Sequence, residues 1–324
     1  MIVKTPSKRA VAPDRAYDLN AELASNIARL IGSAEYLATA IPRLTLHRRT
    51  AATAACPVTY EPSVILIPQG RKQVQLGSQT LTYDSSRYLL TSVDLPTVAW
   101  VAEATDRTPC LAIALKLDIS MVREFVSREE FQMLNGPLDH PAMSTAPVTA
   151  EFLSAWLRLL DLLSNPEDIP FLSGFIEREI LYRILRGPVG PRLRAVATLG
   201  DQSHRTAKAI AWIKANYARP LRVEELAQIA GMAVSTLHHH FRALTAMSPL
   251  QYQKQIRLQA ARARMLAGDV DAATVAFAVG YESASQFNRE YSRLFGQPPI
   301  RDIRNLRSPG APRLESATSA TQSI

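Results

Sequence analysis

Two helix-turn-helix signatures, about fifty residues apart in the last third of the chain, constrain its fold more than any other feature. The first, VEELAQIAGMAVSTLHHHFRAL, runs over 223–244, and the second, ATVAFAVGYESASQFNREYSRLFG, over 273–296. Each reads as a short amphipathic helix, a glycine turn, and a second helix opening at a serine-rich start. That build sets a second helix into the DNA major groove. Two copies in one chain point to a protein that reads two stretches of groove without having to dimerise.

The charge distribution agrees. Residues 201–324 hold 16 Lys and Arg against 9 Asp and Glu, while residues 1–200 hold 21 against 20. A basic block joined to a near-neutral block suggests that one half meets a polyanion and the other does not. At 324 residues the chain has room for two cores. It has no apolar run near the roughly 20 residues needed to span a bilayer. The start, MIVKTPSKRAVAPDR, lacks the apolar segment of a secretory signal, so a cytoplasmic, nucleoid-associated protein is expected. Cys56 and Cys110 cannot make a disulfide framework or a four-ligand zinc site, and buried inert thiols are the expectation.

Residues 1–17 read as disordered, and a short amphipathic helix follows around Leu19–Ile31. From about Arg43 to Leu117 come short β-rich runs, LTLHRR, SVILIPQG, KQVQL, QTLTY, RYLLTSV, TVAWVAEA and CLAIALKL, separated by turn residues. KQVQL-GS-QTLTY reads as a tight hairpin with Gly77 at positive φ. Seven or so strands at this spacing suggest a small barrel or jelly roll. Helices are expected at 119–134, 146–164 and 171–186. The stripe Phe152, Leu153, Trp156, Leu159, Leu160, Leu163 is wide enough to make the 146–186 pair a homodimer contact, the alternative being packing on its own barrel. Residues 188–203, rich in Pro and Gly, read as a linker, and 307–324 as a disordered tail.

Within 204–306, Pro220 stops a first helix. In the first motif Leu226, Ile229 and Ala230 face inward, Gly231 turns, Ser235 caps the second helix, and Leu237, Phe241 and Leu244 anchor it. Ser235, Thr236, His238, His239 and Arg242 are left as the groove-facing set. A helix over about Leu250–Leu266 spans about 25 Å, which suits two recognition helices near one DNA turn, about 34 Å, apart. Arg257, Arg262 and Arg264 lie along it, Arg262 as a candidate phosphate contact. In the second motif Val275, Ala276 and Val279 face inward, Gly280 turns and Ser283 caps. Phe287, Tyr291 and Leu294 anchor, and Ala284, Ser285, Asn288 and Arg289 face outward. Asn pairs with adenine and Arg with guanine through two hydrogen bonds, which makes Asn288 and Arg289 base readers. Three consecutive histidines, His238, His239 and His240, point about 100° apart on a helix and cannot share one metal ion.

The segments LAQIAGMAVSTLHHHFRALTAMSPLQYQKQIRLQAARARML and VAFAVGYESASQFNREYSRLFGQPP resemble the bipartite DNA-binding domain of AraC/XylS-family transcriptional regulators. The upstream run YEPSVILIPQGRKQVQLGSQTLTYDSSRYLLTSVDLP is similar to the cupin-like N-terminal domain of one AraC subgroup. The resemblance implies an α+β chain. Residues 18–187 would be a cupin-like β-barrel with flanking helices, for effector binding or dimerisation, and 204–306 an all-α domain with two helix-turn-helix motifs. It also implies double-stranded promoter DNA, RNA polymerase and a small-molecule effector as partners. His239 stands where members often carry Arg. An imidazole donates fewer hydrogen bonds than a guanidinium, so the first motif either reads a different base or makes mainly backbone contacts.

Residues 1–200 contain only His47 and His140, far apart, with no nucleophile elbow, phosphate loop or metal motif, so no catalytic residue and no cofactor is expected. A barrel mouth would instead hold a ligand, with Gln69 and Arg71 as polar groups and Tyr60, Tyr83, Tyr88 and Trp100 as walls. Two other readings use the same module. An alkyl-accepting DNA repair enzyme would need a reactive Cys beside it, and residues 111–324 contain none. A constitutive architectural DNA-binder would leave nearly 200 residues without a purpose.

Overall fold

The computed structural model describes residues 15–132, 141–268 and 271–307. The expected disorder of residues 1–14 and 308–324, the end of the expected 119–134 helix, and His140 lie outside them. Helix α1 (Arg15–Ile31) starts four residues before the apolar stripe does, so Arg15, Ala16 and Tyr17 are helical. Ten antiparallel strands follow: β1 (Tyr36–Ala38), β2 (Leu44–Arg49), β3 (Cys56–Tyr60), β4 (Ser63–Gln69), β5 (Arg71–Leu76), β6 (Gln79–Asp84), β7 (Arg87–Thr91), β8 (Leu95–Glu103), β9 (Cys110–Lys116) and β10 (Met143–Pro147). Their order is β1-β2-β9-β4-β7-β6-β5-β8-β3, with β10 added beside β7. The sheet curls into a half-barrel whose outer strands, β1 and β3, do not pair, so the barrel is open. The β5–β6 hairpin pairs Leu76 with Gln79 across Gly77-Ser78, and Gly77 sits at φ +61°.

Helices α2 (Ile119–Val126) and α3 (Glu129–Gln132) precede β10, and α4 (Ala150–Asp161) and α5 (Ile169–Arg186) follow it. Asp118 caps α2 by accepting the Ser120 and Met121 N–H groups, and Thr149 caps α4 by accepting that of Phe152. Strands β1, β3 and β10 lack a sequence signal. They are three to five residues long, too short for alternation to show.

The apolar stripe of α4 is core. Phe152, Leu153, Trp156, Leu159 and Leu160 are buried, Trp156 completely, against α1 and one face of the sheet. Each such side chain contributes about 1.5–3 kcal/mol by leaving water, so the stripe is spent inside the protomer and is not a dimer contact. What remains apolar and exposed in this region lies on α5: Phe171 and Phe175 are 74% and 73% accessible, with Leu172 and Tyr182 beside them.

The segment read as a linker is ordered. Residues Gly190–Ala197 form α6, with Leu193, Val196 and Ala197 buried. The carboxy-terminal helices are α7 (Gln202–Ala215), α8 (Val223–Ala230), α9 (Val234–Thr245), α10 (Pro249–Ala267), α11 (Ala272–Ala278), α12 (Ala284–Phe295) and α13 (Pro299–Arg307). Among the described residues, buried side chains fall into three clusters. One lies between the sheet and α1, α4 and α5. A second is continuous from the other sheet face (Tyr60, Ile67, Tyr83, Leu95) into α7–α10 (Ile210, Leu226, Phe241, Tyr252). The third is confined to α10–α13 (Leu258, Met265, Val275, Phe287, Tyr291, Ile303). No helix of the described residues is long and apolar enough to cross a membrane.

Candidate nucleic-acid interface

Each motif is a helix pair hinged on one left-handed glycine. In the first, α8 ends at Gly231 (φ +64°) and α9 begins at Val234. Leu226, Ala227 and Ala230 on α8 pack on Leu237, Phe241 and Leu244 of α9, while Ile229 is only half-buried. Ser235 does not cap α9. The cap position falls on Ala233, which has no side-chain hydrogen bond, and places Ser235 inside the first turn. In the second motif α11 is capped by Asp271, and Gly280 (φ +93°) makes the turn. A Cβ at Gly280 would meet the Ala218 carbonyl oxygen at 2.1 Å, so glycine is required by both φ and space. Ser283 caps α12 by accepting from the Gln286 N–H, and Phe287 and Tyr291 are fully buried.

This packing turns the other face of each second helix outward. Ser235, His238, His239 and Arg242 are exposed on α9, with Thr236 half-buried. Ser285, Asn288 and Arg289 are exposed on α12, with Ala284 half-buried. Among the described residues no hydrogen bond or ion pair occupies the guanidinium of Arg242 or Arg289. His238, His239, Arg242 and Ser248 line an open cleft of about 500 Å³ beside α9. His239 and His240 meet edge to face at 5.2 Å, and burial, then the neighbouring His239, holds the His240 imidazole below its ordinary pKa.

Each arginine of α10 has a partner within the protein. Arg262 is buried: its Nε and Nη2 donate to Asp302 at 2.8 and 2.9 Å, and its guanidinium stacks 4.3 Å from the Phe295 ring. It is therefore not available to phosphate. Asp302 also accepts from the Tyr291 hydroxyl at 2.7 Å, so one ion pair ties α10, α12 and α13 together. Burial and that bond push the Tyr291 pKa up. Arg257 donates to the carbonyls of Tyr217 (2.6 Å) and Arg219 (2.9 Å) at the end of α7, and Arg264 to the Tyr217 hydroxyl. Sequence could not find these roles, because the acceptors lie some 40 residues away or are backbone.

The expected effector residues split. Tyr60 and Tyr83 meet, hydroxyl to hydroxyl at 3.0 Å, on the buried face continuous with the first motif. Tyr88 lies on the opposite face, its ring 4.7 Å from Phe152, and burial raises its pKa. Trp100 pairs across the sheet with Gln73, one residue out of step with Tyr83 and Lys72, and its indole N–H donates to Gln73 at 3.0 Å. Gln69 donates to the Pro109 carbonyl, and Arg71 is paired with Asp84 and Glu103. Only Tyr60 and Tyr83 are brought together.

Between the two halves lies a charge cluster that the sequence did not announce. Lys214 of α7 donates to Asp94 at 2.5 Å and to Glu61 at 3.0 Å, and Glu61 also pairs with Lys116 at 2.5 Å. Burial raises the Asp94 pKa despite the lysine. Burial also works against the Glu61 anion, but hydrogen bonds from Lys116 and Lys214 leave its pKa lowered.

Comparison with known proteins sets this geometry in context. The family model described as AraC-type transcriptional regulator N-terminus matches residues 40–192, and a helix-turn-helix domain model matches 226–305. The HTH-type transcriptional activator RhaS of Yersinia pestis is 30% identical over 105 residues, 32% of this chain and 38% of RhaS. The HTH-type transcriptional regulator ArgR of Pseudomonas aeruginosa is 27% identical over 153 residues, 47% of this chain and 46% of ArgR. The chain thus spans less than half the length of these curated relatives. Among solved structures, ToxT of Vibrio cholerae with a bound unsaturated fatty acid aligns at a TM-score of 0.52, covering 83% of this chain and 94% of that one at 10% identity. That likeness shows a shared fold.

Proposed function

This chain belongs to the AraC-type transcriptional regulators, and we propose that it binds double-stranded promoter DNA with both motifs. Ser235, Thr236, His238, His239 and Arg242 would line one groove segment, and Ala284, Ser285, Asn288 and Arg289 the next. The observation that carries the reading is the repeated build: two glycine-hinged helix pairs, each burying its anchors and leaving an arginine exposed beside short polar side chains. Asn288 and Arg289 would read bases, and the shorter His239 would contribute less. Arg289→Ala should lose about 1–3 kcal/mol on a selected site and relax preference at one base pair. Selection on randomised DNA with the wild type and the variant tests this, and unchanged preference removes Arg289 from the readers.

The N-terminal half would modulate this binding through a small effector. The Tyr60–Tyr83 pair supports that placement, since it lies in a cluster continuous with the core of the first motif. The protein would act by regulating RNA polymerase and not as an enzyme, in keeping with the regulator relatives. It would work without a cofactor, in the cytoplasm on nucleoid DNA. The homodimer contact within 146–186 is assigned to the exposed face of α5, because Phe171 and Phe175 form an apolar patch of the kind that marks interfaces. Phe175→Glu should leave the fold intact and halve the mass in sedimentation; an unchanged mass would remove α5 from the interface.

A further inference from the structure

Among the described residues strand β3 ends the sheet: it pairs there with β8 alone, and such an edge would ordinarily invite a further strand. Instead α10, the helix that joins the two motifs, lies along it. The contacts run in order and in opposite directions. At one end the Tyr252 hydroxyl donates to the Asp94 carbonyl at 2.8 Å, beside the Tyr60–Leu95 pair. In the middle the Thr59 hydroxyl bonds the Gln259 side chain. At the other end Arg262 donates to the Cys56 sulfur at 3.3 Å. From Tyr252 to Arg262 a helix rises about 15 Å, and from Cys56 to Tyr60 a strand rises about 13 Å, so the two lengths match.

The grip extends to both motifs. Lys214 of α7 is held by Asp94 and Glu61. The Ala142 N–H donates to the Leu244 carbonyl at the end of α9 at 3.1 Å. A Cβ on Gly77, at the hairpin tip, would stand 2.7 Å from the Cβ of Ala246 just beyond α9. The Arg262 that touches Cys56 is the same group that ties α10 to Asp302 and, through it, to Tyr291 of α12.

We infer that edge strand β3 and the Asp94 turn are a splint for α10, and that Thr59, Glu61, Asp94 and their partners Lys214 and Gln259 are positioning residues that fix the separation and angle of the two recognition helices. None of these side chains belongs to the proposed groove-facing set. They act on DNA through α7 and α10, which makes the N-terminal sheet part of the reader of operator spacing. The inference rests on the proposal that both motifs bind DNA.

The test uses the full-length chain and a site selected from randomised DNA, compared with the same site carrying one extra base pair between the two contacted segments. One base pair turns the second segment by about 34° and moves it by about 3.4 Å. A splinted protein cannot follow, and wild type should bind the lengthened site about tenfold more weakly, the size of one mismatched base pair. Lys214→Ala, which removes the central cation of the grip, should reduce that penalty to about threefold or less, and Lys214→Arg should restore it. The ratio of the two sites cancels any uniform loss of phosphate attraction. Should Lys214→Ala fail to fold, Gln259→Ala, on the half-buried side of α10, gives the same reading. A spacing penalty identical to wild type in the folded variant overturns the inference, whichever way overall affinity moves. If wild type itself selects no sequence, it is the DNA-binding proposal that falls, and the two failures are thereby told apart.

Discussion

The two motifs share one build and differ in what holds them up. The first has no core of its own: Leu226, Leu237 and Phe241 belong to a cluster that continues through Tyr252 and Ile210 into Tyr60, Tyr83 and Leu95 of the sheet. The second is self-contained, with Val275, Phe287 and Tyr291 packed on Leu258 and Met265 of α10 and closed by the buried Arg262–Asp302 pair. A motif whose core is shared feels whatever happens in the sheet through packing, because close-packed interiors transmit strain. A motif with its own core feels it only at its border, through α10 and where α12 meets β3. The difference couples the first motif to the N-terminal half through a shared core and the second only through contacts at its edge.

The largest expected effect breaks the independence of the second motif. Arg262→Ala leaves the Asp302 carboxylate buried beside Tyr291 without its cation, a change that costs about 3–5 kcal/mol. Amide exchange should then accelerate across α11–α13, while α8 and α9, anchored in the other cluster, keep their protection. Loss of protection in both motifs together would show that the two cores are one. A smaller effect probes the shared core. Leu244→Ala cuts a side chain buried where α9 meets the sheet side of the cluster and should cost about 2–5 kcal/mol. Its signature should be reduced protection in α9 and in the sheet alike, and an effect confined to α8 and α9 would separate what the packing joins.

These contrasts mark how far the sequence could be read. Periodicity identified Leu237, Phe241, Phe287 and Tyr291 as anchors, and the two glycines as turns, because a helix with one buried face writes that face into its spacing. It identified Trp156 as part of a buried stripe but not what the stripe buries against, which is decided by α1 and by strands β2, β4 and β9, far earlier in the sequence. The same limit hid Asp302 from Arg262. It also hid the fusion of the first motif with the sheet, since a buried face looks alike whichever domain covers it. For the outward set, Ser235 to Arg242 and Ala284 to Arg289, spacing fixed which positions face away from the anchors. It misplaced the cap of α9 by two residues, because Ser235 is a good capping residue and Ala233 is not.

That misplaced cap gives the smallest prediction and the sharpest form of the comparison. Helix α12 starts with a serine whose hydroxyl accepts the Gln286 N–H at 3.3 Å, while α9 starts at Ala233 with no side-chain acceptor, although its backbone (φ −68°, ψ 150°) is already that of a cap. Ser283→Ala should lose, and Ala233→Ser gain, about 1 kcal/mol of helix stability. The two changes should not be felt alike. In the self-contained second motif the loss should appear as faster exchange at the first turn of α12 alone. In the first motif the cap acts on a helix whose far end is already held by the Ala142–Leu244 hydrogen bond. Stabilising its near end should therefore raise the midpoint of the transition in which sheet and motif unfold together. If Ala233→Ser slows exchange only at the start of α9 and leaves that midpoint unchanged, the first motif is as separate as the second, and the asymmetry in their coupling to the sheet is lost.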